Sequence, residues 1–470
     1  MSDLSVYPKN SFERFGDDLS EVLLSYHSFE DKFRFECVSK QWQRLVFNRV
    51  HDVVIGDRFV CGLNWIKLKK HIQRKVGETS HLTNQKTLEM ETLDSVLKKC
   101  PNIRYIEFCY HNNIEEKLEL ILRYCHHLTE IKIDFNQISD QMSDKFFGKF
   151  GPNLKRLTFK NNNDFNIRNV FKLCPKIERI GGFMSEYEDF FDGNKVLLKN
   201  LKYFWFYYSE EDMNRMEIIA ENNKNSLESI ELSLAEEVTE RQLKDYLNLT
   251  LKLSQLKRLK AYFASDSISI LLEKFFQELS QKCLQLEDID LSLSFDGFSD
   301  ISRVFNALNH FKRLKSLKFS NYSRKESQPL PGSVMRQSLT SCKNLLKISI
   351  QGNVFLLSED FFSGLVINCP KLQSIRSSSV DITDEIMDSF SLLSNLRLIN
   401  LKSDDYNHMK NPSLVNVIKK CCKLASISLT FNVSSEKTIS LCVELKDSKI
   451  ESIRQNNGPE DPVLQLYYKF

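Results

Sequence analysis

The sequence predicts an α/β fold: a small all-helical amino-terminal module, then a long array of strand–turn–helix repeats with a parallel inner sheet and outer helices. Three observations predict it. An apolar phrase of fixed internal spacing returns fourteen times, cysteines hold one place relative to that phrase, and segments with helical apolar spacing separate its copies.

The phrase is apolar, two variable residues, apolar, one variable residue, apolar. Ile103-Arg104-Tyr105-Ile106-Glu107-Phe108 and Leu128-Thr129-Glu130-Ile131-Lys132-Ile133 are two copies. Further copies start at Leu154, Ile177, Leu201, Leu227, Leu256, Leu286, Leu314, Leu345, Leu372, Leu396, Leu424 and Ile450, at intervals of 23 to 31 residues. The last three positions alternate in-out-in, as a half-buried strand requires. Between copies, Leu93-Val96-Leu97 and Leu271-Leu272-Phe275-Phe276-Leu279 carry helical spacing. One such unit cannot bury its own apolar face, so the units must stack, strands on the concave side of a horseshoe and helices on the convex side.

Cys100, Cys125, Cys174, Cys283, Cys342, Cys369 and Cys421 each fall three residues before a phrase. A residue placed identically in seven units packs identically in each, as a small buried apolar side chain. Reduced thiols are therefore expected of all 12 cysteines. This frame resembles the cysteine-containing subclass of leucine-rich repeats over residues 100–455. Ile138-Ser139-Asp140 and Ile382-Thr383-Asp384 match that subclass's Ile-Thr-Asp turn before the helix. Within the frame, His126 and His127 after Cys125 occupy turn positions held by Pro-Asn or Pro-Lys elsewhere. A solvated turn, and no metal site, is expected there.

Residues 15–50 read differently. Leu19, Val22, Leu23 and Tyr26 follow the spacing of an amphipathic helix, Ser28 and Asp31 mark a helix start, and a stripe runs through Phe35, Val38, Trp42 and Leu45. Read from spacing alone, this is a helical cap for the array. The run from Phe15 to Tyr26, with Asp31, Phe35, Val38-Ser39-Lys40 and Trp42, also resembles an F-box. That resemblance implies docking on the SKP adaptor and, through it, a cullin-RING ubiquitin ligase. Phe15, Leu19, Val22, Leu23, Tyr26, Phe35, Val38 and Trp42 would then be adaptor-facing or module-core positions. The family usually opens on Leu-Pro where this chain has Phe15-Gly16, and commonly has leucine at the place of His27. Loss of the proline removes a preset backbone angle and should weaken the adaptor.

Residues 1–14 and 456–470 read as tails, and 51–99 as a connector. Val50 to Ile55 fits the strand phrase 53 residues before Ile103, which leaves room for two degenerate first repeats. Lys67 to Lys75 is a basic run, read as a solvated helix face with a nuclear-import signal as the alternative, and Gly77 to Lys86 reads as a loop.

Composition narrows the function. There are 65 basic and 62 acidic side chains in 470 residues, so a net charge of +3 offers no global field for nucleic acid or membrane. The first residues show no basic head or apolar run, and no apolar stretch is long enough for a bilayer, so a cytoplasmic or nuclear place is expected. The sequons at Asn248, Asn321 and Asn432 would then go unused. Phosphate-binding glycine loops, nucleophile elbows and zinc-protease motifs do not occur, so no enzyme and no cofactor is expected.

A protein partner is expected instead, held on the strand face. Tyr203, Trp205 and Tyr207 form an aromatic row, flanked by Arg156, Arg258 and Lys260; aromatic and arginine side chains dominate interface hot spots. Ser327 to Gly332, in the longest interval, reads as a projecting loop. The expected function is the substrate receptor of an SCF-type ligase, its substrate unnamed by the sequence. The alternatives are a repeat scaffold or inhibitor acting without ubiquitin, and a receptor for a small ligand, which would need a convergent basic pocket.

Overall fold

The computed structural model describes residues 16–27, 31, 39–47, 50–55, 84–108, 113–133, 138–159, 167–181, 190–192, 195–207, 213–233, 240–263, 269–293, 298–321, 339–352, 357, 359–378, 380, 382–403, 411–432, 438–446 and 449–455. The chain forms two compact units, Met1–Leu201 and Lys202–Phe470. Both repeat strand, turn and helix, the α/β architecture of leucine-rich repeats.

The first unit opens with α1 (Asp17–Ser25) and α2 (Lys40–Leu45). Five strands then pair in chain order, all parallel: β1 (Asp52–Ile55), β2 (Tyr105–Phe108), β3 (Glu130–Ile133), β4 (Arg156–Phe159) and β5 (Arg179–Gly181). Between them lie α3 (Asn84–Lys99), α4 (Ile114–Tyr124), α5 (Asp140–Phe150) and α6 (Ile167–Leu173). Asp52, Tyr105, Glu130, Arg156 and Arg179 stand in one register row. Because β1 pairs directly with β2, the 53-residue interval is one step of the ladder. Helix α3 reaches back to Asn84, into the stretch that reads as a loop. After β5 a two-stranded hairpin, β6 (Phe191–Asp192) and β7 (Lys195–Val196), stands where a helix was due. Phe190 seats it by stacking on Phe171 of α6, ring centroids 4.8 Å apart.

In the second unit nine parallel strands follow one another: β8 (Tyr203–Tyr207), β9 (Ser229–Ser233), β10 (Arg258–Phe263), β11 (Asp288–Leu293), β12 (Ser316–Asn321), β13 (Lys347–Gly352), β14 (Ser374–Ser377), β15 (Leu398–Ser403) and β16 (Ser426–Asn432). Its helices are α7 (Met213–Asn223), α8 (Glu240–Leu251), α9 (Ser269–Lys282), α10 (Phe298–Ala307), α11 (Glu359–Asn368), α12 (Asp384–Phe390) and α13 (Asn411–Lys420). The phrase at Ile450 departs from expectation. Its strand β18 (Lys449–Gln455) and β17 (Thr438–Lys446) run antiparallel, so a hairpin, and not a further repeat, follows β16. The cause is connection length. A parallel return needs a dozen or more residues, and only five separate β16 from β17 and two separate β17 from β18.

The core follows the repeat phrase. Every leucine or isoleucine opening a phrase from Ile103 to Leu424 is buried, as are the cysteines three residues earlier. These thiols lie against the preceding repeat: Sγ of Cys283 donates to the Leu253 carbonyl at 3.2 Å, and that of Cys421 to the Phe390 carbonyl at 3.4 Å. A thiol is small enough for that slot and satisfies a carbonyl left over at a helix end. Phenylalanines fill the space between helices and strands, with Phe305 against Phe319 at 4.6 Å and Phe362 against Phe390 at 5.3 Å.

Helix starts obey local chemistry. Ser139 and Thr383 are N-caps whose hydroxyls accept from the amides of Met142 and Ile386, both at 3.4 Å. Each cap is also tied to the repeat before it. The Ser139 amide donates to Glu115 at 2.6 Å and the Thr383 hydroxyl to Glu359 at 2.9 Å, so the turn motif couples neighbours as well as starting helices. Among the described residues no helix is long and apolar enough to cross a membrane.

Candidate functional site

The amino-terminal module divides its side chains sharply. On α1, Ser20 and Leu24 face inward. Leu19, Val22, Leu23 and Tyr26 remain 47%, 46%, 37% and 83% exposed, a continuous apolar stripe on the outer face. Trp42 is 5% exposed, with its ring 5.8 Å from that of His27. Of the two roles open to it, adaptor-facing or module-core, Trp42 takes the core position, and His27 packs beside it where the family pattern has leucine. Gln41 donates to Asp17 at 2.9 Å and joins the two helices. Leu45, Val46, Phe47 and Val50 are buried, and the Lys99 ammonium of α3 lies 5.6 Å from the centre of the Phe47 ring. The module is thus seated on the first repeat while α1 keeps its stripe outside. Phe15, Phe35 and Val38 lie outside the described residues, as do the basic run at 67–75 and the loop at 327–332.

On the strand face of the first unit, Arg156 pairs with Glu130 at 3.1 Å and Lys132 with Glu107 at 2.6 Å. Tyr105 donates to Glu107 at 2.7 Å; burial first, then this bond to a carboxylate, holds its phenol well above the ordinary tyrosine range. An open cavity of about 720 Å³ crosses the strand starts, lined by His51, Arg104, His127, Lys155, Arg156 and Glu178 among others. Its charges are mixed. Lys155 lies 3.9 Å from Glu178, and the His51 ring Nδ1 lies 3.0 Å from the Asn102 carbonyl. His126 and His127 are exposed while Cys125 is buried, so the three do not converge.

In the second unit the aromatic row is anchored by an outward carboxylate of the neighbouring strand. Glu231 of β9 accepts from the Tyr203 hydroxyl at 2.8 Å and pairs with Lys260 at 2.5 Å, so β8, β9 and β10 are joined through one carboxylate. Trp205 stands beside Glu231 in register and is half-buried; Tyr207 stands beside Ser233, and its side chain lies outside the described residues. Arg258 is exposed between Ser229 and Asp288, and it makes no ion pair among the described residues.

No protein-family model matches the chain, and neither does any curated protein. Solved structures do resemble it. The complex of Rad7 and Elc1 from yeast is similar at 15% identity with a TM-score of 0.37, covering 87% of this chain and 92% of that one. The Toll–Spätzle complex, described as a hub in Drosophila development and innate immunity, is similar at 14% identity with a TM-score of 0.33, covering 72% of this chain and 48% of that one.

Two columns of charge organise the same face. Positions before and within β9 to β12 read Glu228, Lys257, Glu287, Lys315, and three residues on, Glu231, Lys260, Asp290, Lys318. Sign alternates at every step of both columns. Lys257 pairs with Glu228 at 3.0 Å, Lys315 with Glu287 at 2.8 Å and Lys318 with Asp290 at 3.2 Å. Lys260, expected to meet a partner, is therefore already engaged, whereas Arg258 is available. The signal for this was in the sequence: opposite charges one repeat apart at one phrase position are cross-strand neighbours.

Proposed function

We propose that this chain is the non-catalytic substrate-recognition subunit of an SCF-type cullin-RING ubiquitin ligase. In this reading, α1 docks on the SKP adaptor and the repeat face holds a protein substrate. The observation that carries it is the exposed stripe of Leu19, Val22, Leu23 and Tyr26, in a segment that resembles an F-box. Apolar side chains grouped on one helix face favour a covered state in water. Ubiquitin transfer would follow from proximity alone, by raising the effective concentration of substrate lysines.

The backbone at Gly16 has room for the proline that the family pattern carries. Its φ of −59° is close to the angle a proline ring imposes, and among the described residues no atom beyond its chain neighbours lies within 4 Å of where a Cβ would stand. Gly16→Pro should be accepted and should tighten the adaptor.

The test is co-purification with the SKP adaptor. Leu23→Asp should abolish a one-to-one complex without unfolding the chain, because Leu23 faces out. Trp42→Ala should instead destabilise the module by about 3–5 kcal/mol, through loss of a buried indole. If the wild-type chain shows no binding at micromolar concentration, the reading fails. Residues 16–47 are then only the cap of a repeat scaffold, which their buried seat on the first repeat also fits.

A further inference from the structure

Beyond β12 the charge pattern changes. The outward positions of β13 to β16 among the described residues include no aspartate or glutamate. They carry Lys347 on β13, Arg376 on β14 and Lys402 on β15, each exposed and, among the described residues, each without an ion pair. Between these stand small hydroxyls and an amide, of which Ser349 and Asn400 flank Arg376 in register. The face of β9 to β12 neutralises itself; this one is left positive.

The three cations also form a line. Each lies one strand over and two residues along from the last: Lys347 faces Ser374, two residues before Arg376, and Arg376 faces Asn400, two before Lys402. With strands about 4.8 Å apart and two residues of rise, such diagonal neighbours are about 8 Å apart. Side chains on one face of an extended peptide recur at about 6.7 Å, two residues of rise. One free cation per step therefore matches one carboxylate at every second residue.

We propose that the β13–β15 face binds an extended acidic peptide segment of a partner protein, with alternate carboxylates on Lys347, Arg376 and Lys402. Charge complementarity carries the assignment. Single-stranded nucleic acid fits less well, since binders of that class stack bases on aromatic rings and the outward positions of β13 to β16 have none. A membrane fits less well too, since Leu398 is the one apolar side chain among those positions. The inference rests on the receptor reading only in calling the bound segment substrate. Its test omits the adaptor, so either can fail alone.

The experiment is fluorescence anisotropy on the full chain with a labelled peptide alternating glutamate and serine. Saturable binding that weakens with added salt is expected, with Arg376→Glu lowering affinity about tenfold. The paired exchange of Lys347→Gln and Lys402→Gln should do the same, and Lys145→Gln on the outer helix α5 should leave it unchanged. A glutamine-for-glutamate peptide should not bind. Equal binding of that neutral peptide, no saturation with the acidic one, or tighter binding of a single-stranded oligonucleotide or anionic vesicles would overturn the proposal.

Discussion

Burial sets the chemistry of single residues here, and the stacked cysteines show it most directly. Burial pushes the thiols of Cys125, Cys174, Cys342 and Cys369 up to about 12, and those of Cys283 and Cys421 to about 11. The thiolate is the reactive form, so these six should resist alkylation in the folded chain while exposed Cys422 reacts. Mass spectrometry of native and unfolded samples would read the difference. Linkage adds a pH dependence. The folded state holds these protons more tightly than the unfolded chain, whose thiols ionise near 9. Stability should be fully present below that value and decline as pH rises through 11 to 12, measured by denaturant titration under reducing conditions.

At the level of single elements, much of the structure was legible because each phrase encodes its own strand. The buried alternation, the cysteine slot and the capped turns at Ser139 and Thr383 all follow from spacing and side-chain type. What escaped depended on connections. The hairpin of β6 and β7 and the antiparallel strands β17 and β18 depart from the repeat, the latter where only five and two residues connect the strands, and apolar spacing does not report that. Gly352 is another such case. Its φ of +128° falls where side chains are strained, and an added Cβ would run into the Asn321 backbone of the neighbouring strand. Gly352→Ala should cost about 2 kcal/mol or more, against about 1 kcal/mol for Thr383→Ala at its cap; thermal melts of the two variants would rank them.

Across the whole molecule, the candidate surfaces were only half legible. The sequence places Tyr203, Trp205, Arg258 and Lys260 on the strand face, but register decides which cations are already spent, and register exists only once strands pair. Trp42 shows the same limit: spacing cannot tell a core tryptophan from a contact one. The β17–β18 hairpin has a role of its own at this scale. It covers one edge of β16, whose Ile427, Leu429 and Phe431 alternate with polar residues. Ending the chain after Asn432 should expose that edge and promote self-association, seen as a rise in mass by light scattering. The alternating columns on β9 to β12 carry a last consequence, for changes of length. Duplicating any one of these units, or losing an inner one, would bring like charges face to face in both columns. Adding or removing two neighbouring units together keeps the alternation, so this stretch can change length without like-charge contact in steps of two repeats.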